Sequence, residues 1–369
     1  MHTDQEYDVI VVGARIAGST VAALLGDAGY RVLLVDRATF PSSTVSTHFF
    51  RGAFLLNMLR RLDILEEVMD LGPPPLTRQY VYTGGTAQPN VEPPQRPGDI
   101  GYCLSVRRNS LDHLLIQRAQ RSETVTFAER THATELLWNE DRVVGVRLRT
   151  TDDEYSVRAR IVVGADGCSS FVARAVDAPS EDSTPGFRAL YYRYANGFPS
   201  PTGGTPDGAE FSFLGDQLAY VFPSDNGVTC VAISFNRDDF EETKRDLVSG
   251  FEEHIMRHRG IAGRYTRAST GDGIEGYGPL PNYIRVPTGP GWALVGDAGL
   301  HQDPWSGYGI DMASMTGTFL AEAVQDWFAE AASESSAMER YHRRRNELAA
   351  LIYRETIDVG RDLRQRSEG

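Results

Sequence analysis

Long apolar runs, a cysteine framework and a surplus of positive charge are all missing from this 369-residue chain. No stretch approaches the ~20 consecutive apolar residues that a bilayer-spanning helix requires, so no membrane span is expected. The three cysteines, Cys103, Cys168 and Cys230, are odd in number and far apart. They form neither a disulfide framework nor a metal-spaced cluster, so no metal site is expected and a reducing cytoplasm is the expected setting. With 50 acidic residues against 37 basic ones, the net charge of −13 opposes nucleic acid or an anionic membrane as a bulk partner. The first residues, Met1–Glu6, are polar and acidic, without the pattern of a signal peptide.

What is present begins at Tyr7. Val9-Ile10-Val11-Val12 is apolar on both faces, as a buried parallel strand requires. It breaks at Gly13-Ala14-Arg15-Ile16-Ala17-Gly18, which leads into a helix reaching about Gly29. A second apolar strand, Arg31–Val35, ends on Asp36, with Arg37 after it. Strand, glycine turn, helix, strand and acid form the arrangement that binds a dinucleotide. The helix N-terminus offers N–H groups to a pyrophosphate, and the acid meets a ribose. Arg15 occupies the middle glycine of G-x-G-x-x-G, where a side chain is expected to crowd the phosphates or to meet them with its guanidinium.

The rest of the chain alternates in texture. Residues 1–75 and 105–179 read as two parts of the nucleotide domain, with helices expected over Ala53–Leu59, Ile64–Leu71 and Leu111–Ala119. A small antiparallel ribbon is expected over Thr124–Phe127, Ala133–Trp138, Val143–Leu148 and Tyr155–Val157, followed by a buried strand at Arg160–Gly164. Residues 76–104 and 180–280 are rich in short β-like pieces among Gly and Pro and read as two visits to a second domain. Residues 281–369 return to the first domain with a last strand, Gly291–Val295, and helices from Met312 to about Leu363. The basic run Tyr341-His342-Arg343-Arg344-Arg345 reads as a solvated helix face. The expected architecture is α/β: a Rossmann-like parallel sheet with a β-ribbon, an inserted antiparallel-sheet domain and C-terminal helices.

Two further segments accompany the glycine turn. One is Gly164-Ala165-Asp166-Gly167-Cys168-Ser169-Ser170, running on to Arg174; the other is Gly296-Asp297-Ala298-Gly299, followed by Pro304, Gly307 and Gly309. In order and spacing the three segments resemble the class A FAD-dependent monooxygenases of the p-hydroxybenzoate hydroxylase type. That scaffold is shared with geranylgeranyl reductases and flavin-dependent halogenases. The resemblance implies FAD as cofactor and NAD(P)H and O₂ as co-substrates. It also implies oxygen transfer to a small molecule through a flavin C4a-hydroperoxide.

Carried onto this sequence, the resemblance places Gly13, Ala14, Arg15, Ile16, Ala17, Gly18, Asp36, Arg37, Arg51, Arg108, Ala133, Asp166, Asp297, Gly307, Gly309, Ile310 and Asp311 at the cofactor. Asp297 would meet the ribityl chain. The helix opening at Gly307–Asp311 would face the flavin N1–C2=O edge, which becomes anionic on reduction. Asp166 would touch the flavin or the nicotinamide donor, or only tie neighbouring loops. Asp311 stands where an asparagine is usual, and a carboxylate near N1 disfavours the reduced flavin unless it is turned away.

Pro304 is expected beside the reacting edge, with His48 in the preceding loop as a candidate base or a structural residue. Tyr192, Tyr194, Phe213, Phe222 and Trp305 are candidates to line the substrate pocket. The substrate expected from these aromatics is hydrophobic, aromatic or polycyclic, bound by a monomer or homodimer. A reductase of the geranylgeranyl type is the alternative, and a redox sensor a third reading. Halogenases carry a W-x-W-x-I-P segment and a catalytic lysine, and this tryptophan pair is absent here.

Overall fold

A computed structural model describes residues 6–83, 86–87, 100–271 and 273–367. In chain order its main elements begin with β1 (Glu6–Val12), α1 (Ile16–Asp27), β2 (Val32–Val35) and β3 (Arg78–Thr83). Then come α2 (Arg108–Gln120), β4 (Val125–Ala128), β5 (His132–Asn139), β6 (Arg142–Arg149), β7 (Glu154–Gly164) and α3 (Phe171–Ala175). The second half runs β8 (Arg188–Asn196), β9 (Gly208–Leu214), β10 (Gln217–Pro223), β11 (Val228–Asn236), α4 (Leu247–Arg257) and α5 (Arg259–Tyr265). It closes with β12 (Trp292–Leu294), α6 (Gly309–Phe328) and α7 (Glu334–Gly360).

The first sheet has β12, β7, β1, β2 and β4 side by side, all parallel. Its central stretches, residues 9–12, 32–35 and 161–163, are apolar at every position because both faces are covered. Thr124–Phe127, expected in the ribbon, instead joins this sheet through β4, parallel to β2. Val9, Val11, Val32, Leu34, Ile161 and Val163 pack into a core with α1, α2 and α6, while Ile10, Val12, Leu33, Val35 and Val162 enter a second core under the ribbon. The ribbon and the buried strand, expected as separate pieces at 155–157 and 160–164, are one continuous strand. The first half of β7 pairs antiparallel with β6, and its second half pairs parallel with β1.

The second sheet contains β8, β11, β10, β9 and β3 in that order. Its β8, β10 and β11 strands also divide their side chains between two buried layers. Ala189, Tyr191, Val221, Ile233 and Phe235 face α4 and α5, whereas Leu190, Tyr192, Tyr220, Phe222 and Cys230 pack with Phe49 and Cys103. The early segment reaches this sheet through β3, which lies parallel to β9. Part of that expected segment, residues 84–85 and 88–99, lies outside the described residues. The stretch Ser180–Thr184 does not join the second sheet; it pairs with Asn282–Arg285, which pairs in turn with Leu300–His301.

The helical stretch after β11 is interrupted between Thr243 and Leu247, where Asp246 accepts from Ser249 N–H and starts α4 as its own helix. The basic run on α7 is not simply solvated. Arg345 is 1% exposed, with its guanidinium near Glu181 and Asn346, and the Tyr341 hydroxyl donates to Leu294 O at 2.7 Å. This ties α7 to the end of β12. Among the described residues no helix is long and apolar enough to cross a membrane.

The close fit of α1 on the sheet is set at Gly13 and Gly18. Gly13 has φ +104, and a Cβ there would lie 2.3 Å from Ala165 O on the neighbouring strand end. A Cβ on Gly18 would lie 1.8 Å from Gly13 O, a backbone atom that cannot rotate away. Gly18→Ala is therefore expected to destabilise the fold by about 3 kcal/mol or more. Thermal and urea unfolding would measure this, and a midpoint equal to the parent's would contradict the packing described.

Candidate flavin site

The helices α1 and α6 lie against one another, with a Cβ on Gly317 reaching within 2.8 Å of Ala17 O. Both begin beside the C-terminal ends of parallel strands. First-turn N–H groups have no intrahelical acceptor, and the helix dipole makes this end positive. The crevice is therefore supplied by two positive helix ends, which suits a pyrophosphate and an anionic ring edge.

At the first turn, Asp36 is folded back. Its Oδ2 accepts from Ala14 N–H at 2.8 Å, and its Oδ1 accepts from Ala38 N–H at 2.8 Å. The carboxylate thus fixes the glycine turn while each oxygen keeps lone-pair capacity for a hydroxyl. Arg37 lies further out and lines a pocket of about 360 Å³ with Arg130, His132, Arg149, Thr150 and Thr151; Ala133 follows in β5.

Arg15 does not occupy the space in front of the turn. Its backbone is extended (φ −80, ψ −167), and its guanidinium reaches Asp112 at 2.7 Å, Ser42 Oγ at 3.2 Å and Ser43 O at 3.1 Å. Asp112 is fully buried and also receives Arg108 through Nε at 2.9 Å and a terminal nitrogen at 3.1 Å. The Arg15 guanidinium is thus directed to the loop and to Asp112. Arg108, expected at the cofactor, shares its carboxylate with Arg15.

The third motif carries a free acid. The Asp297 carboxylate has no hydrogen-bond partner among the described residues, although its backbone oxygen accepts from the Tyr283 hydroxyl at 2.6 Å. An unpaired, half-buried carboxylate at a strand end fits a ribityl hydroxyl. Beyond it, Gly307 takes φ +69, and open space surrounds the missing Cβ of Gly309 at the start of α6, before Ile310.

Arg51 braces this turn instead of standing free. It donates to Gly307 O at 3.0 Å and Ser306 O at 3.2 Å, and lies over the Tyr308 ring at 4.2 Å. The Asp311 carboxylate, in the first turn of α6, accepts from Arg51 N–H at 3.1 Å and Leu55 N–H at 3.4 Å. Burial pushes this carboxyl up to about 6, opposed by the Arg51 guanidinium and those two N–H groups. Asp166 is likewise engaged locally, accepting from Ser170 Oγ and from Phe171 and Val172 N–H at the start of α3. Of the roles open to it in the sequence, its contacts support the tying of a loop.

A second pocket, of about 170 Å³, is lined by Ser43, Thr44, His48, Arg107, Arg108, Asn109 and Tyr194. His48 Nε2 lies 2.6 Å from the Tyr194 hydroxyl, and Nδ1 has no partner among the described residues. Burial, with Arg108 and Arg107 nearby, pushes His48 down to about 3, so it is neutral at ordinary pH.

Tyr194 is the only one of the five aromatic substrate candidates lining that pocket. Tyr192 and Phe222 are each 1% exposed and fill the sheet face, with the Tyr192 hydroxyl on Glu275. Phe213 lies partly buried at the rim of the same cluster. Trp305, beside Pro304, donates its indole N–H to Thr356 O at 2.8 Å and packs on α7. Sequence reasoning passed over Arg107, Asn109 and Asp112. The i,i+4 spacing of Arg108 and Asp112 was a usable signal, whereas the pairing of Arg107 with buried Asp225 at 2.9 Å joins segments distant in sequence.

Fold and crevice together define a flavin-binding α/β oxidoreductase. Residues 6–196, more than half of the chain, match the FAD binding domain family, and the chain belongs to that family, among the class A flavoproteins. It is 27% identical to digeranylgeranylglycerophospholipid reductase 2 of Methanopyrus kandleri, over 92% of this chain and 82% of that protein. In fold it is similar to the myxobacterial chondrochloren halogenase CndH, with a TM-score of 0.85, 24% identity and coverage of 95% and 81% of the two chains. It is also similar to pqsL, a probable FAD-dependent monooxygenase from Pseudomonas aeruginosa, with a TM-score of 0.83, 22% identity and 99% of both chains covered.

The buried neutral histidine has a pH signature. Its folded pKa lies below the unfolded value near 6.5, so the unfolded chain binds the extra proton as pH falls. The stability that His48 contributes is complete above pH ~6.5 and is lost progressively below it. His48→Gln is expected to flatten the fall in unfolding free energy between pH 6.5 and 4 by about 1.4 kcal/mol per pH unit relative to the parent. Urea titrations across that range would measure the slopes, and parallel slopes would show that His48 is protonated in the fold.

Proposed function

We propose that this FAD-dependent oxidoreductase is a reductase that adds a hydride equivalent and a proton across a carbon–carbon double bond of a hydrophobic small molecule. The observation that carries this reading is the run of similarity to digeranylgeranylglycerophospholipid reductases, which passes through both sheets and covers 92% of this chain in the Methanopyrus kandleri protein. A second such reductase, from Methanosarcina acetivorans, is 27% identical over 87% of the chain.

FAD, when bound and reduced by an external two-electron donor such as NAD(P)H, would supply the hydride. The chain's own residues do the rest. The N-termini of α1 and α6 orient the cofactor's charged parts, with Asp36 and Asp297 offering acceptors to its hydroxyls. The sheet face of Leu190, Tyr192, Tyr220 and Phe222 excludes water from one side of the crevice. Tyr194 holds a proton at its hydroxyl against neutral His48, placing a donor at the wall of the smaller pocket. Pro304 contributes its ring to the turn before α6 and no proton.

Hydroxylation of an aromatic or polycyclic molecule, with NAD(P)H and O₂, is the second reading. The aromatic packing of Phe49, Phe211, Tyr220 and Phe222 at that sheet face favours it. Halogenation has no support in the residues. The chain's single lysine, Lys244, is exposed and paired with Glu241 beyond the helix Arg237–Thr243, behind the second sheet.

The two readings separate in one experiment. The purified protein is expected to be yellow; it is reduced under argon, with NADH, NADPH and dithionite tried separately. Prenylated lipids and polycyclic aromatics are then added without oxygen. Reoxidation by a polyprenyl lipid under argon is the expected result. Reoxidation that requires air and yields a hydroxylated aromatic would replace the reductase by the hydroxylase.

A further inference from the structure

We propose that Arg15 is a positioning residue that latches the loop of residues 41–48 across the phosphate-binding turn and thereby slows release of FAD. The inference rests on the FAD-binding reading of the crevice.

Three elements meet at this guanidinium. Arg15 itself stands at the entrance to α1, in the turn that faces the pyrophosphate. Asp112, 2.7 Å away, belongs to α2 and is fully buried. Ser42 and Ser43 belong to the connection between β2 and Phe49, which carries Ser43, Thr44 and His48 to the wall of the smaller pocket. The guanidinium also lies over the Phe40 ring at 5.5 Å, at the start of the same connection. Residues 42–48 contain no helix or strand, so tertiary contacts hold them.

The fork geometry of arginine matters here. One terminal nitrogen binds the carboxylate while the other reaches Ser42 Oγ and Ser43 O. A lysine ammonium is a single point on a flexible stem and cannot span both partners as well. Asp112 in turn is oriented by the two bonds from Arg108, so the carboxylate is fixed before Arg15 arrives. The Arg15 side chain is 28% exposed and its partner Asp112 is fully buried, so the bond between them is partly shielded from bulk water, while the bond to Ser43 O is exposed. In a glycine at this position the loop would lose its tie to both α1 and α2. The residue that departs from the dinucleotide pattern thus closes the site over the cofactor it was expected to hinder.

The test uses the FAD-loaded protein and the variants Arg15→Gly and Arg15→Lys. Two quantities are measured: the rate of FAD release, from flavin fluorescence after dilution, and amide hydrogen exchange of residues 41–48 with and without FAD. Arg15→Gly is expected to release FAD at least about tenfold faster, since a charge-assisted bond contributes more than a tenfold factor. Its loop amides should exchange faster even without FAD. Arg15→Lys, which keeps the contact to Asp112, should fall between variant and parent.

Unchanged release together with unchanged exchange in Arg15→Gly would overturn the latch. Slower release with an unchanged loop would also overturn it and show that Arg15 only crowds the phosphates. If the glycine variant does not fold, the lysine variant decides between the same outcomes. Failure of the parent to take up FAD would remove the FAD reading alone, because exchange in the FAD-free protein still reports whether Arg15 holds the loop.

Discussion

The structure depends on a close approach of backbone to backbone at the end of β1. Gly13 lies against Ala165 O, and Gly18 lies against Gly13 O, at separations that leave no room for a Cβ. That contact sets α1 directly on the parallel sheet. It brings the α1 N-terminus level with the strand ends, and packing of α6 on Ala17 brings the second helix mouth to the same crevice. Open parallel sheets bind ligands outside the carboxyl ends of their strands. Here two helix termini supply that position with positive potential from fixed backbone dipoles, which need no mobile side chain.

Around this frame, buried carboxylates act as anchors for irregular chain. Asp112 joins Arg15 and Arg108, Asp225 joins Arg107 to the second sheet, and Asp311 takes two N–H groups after Phe50. Each is fully buried, and burying a charge without partners is costly. Satisfied by guanidinium and N–H donors, each instead specifies one loop geometry, because no other arrangement provides those donors. Asp311, in the first turn of α6, is held in the same way by the Arg51 and Leu55 N–H groups.

The second sheet contributes a wall rather than a set of isolated ligands. Strand alternation sends Tyr192, Tyr220 and Phe222 to the face that meets Phe49, where they pack on each other. Aromatic residues at that face read in the sequence as pocket lining, but most are structural, and Tyr194 alone of the five candidates reaches the smaller cavity. Period-two patterning identifies a shared face and carries no information about which end of it stays open.

The sequence by itself determined the nucleotide-binding half. Its apolar strands, glycine turn, Asp36 and the later Gly-Asp segments depend on local periodicity and on backbone conformations that few residues adopt. These are properties of short stretches and survive without knowledge of the rest of the chain. The sequence also showed strand-like texture in the later β-rich regions, because strand periods and turn residues are local, but it grouped Thr124–Phe127 with the ribbon, whereas β4 pairs parallel with β2. Only the tertiary structure decided where Arg15 points, that Arg51 braces Gly307, that Asp311 accepts from Arg51 N–H, and that Arg345 is buried. In each case the deciding partner lies far along the chain. The direction of a long charged side chain follows from the acceptors that tertiary packing brings within reach, which no local pattern contains.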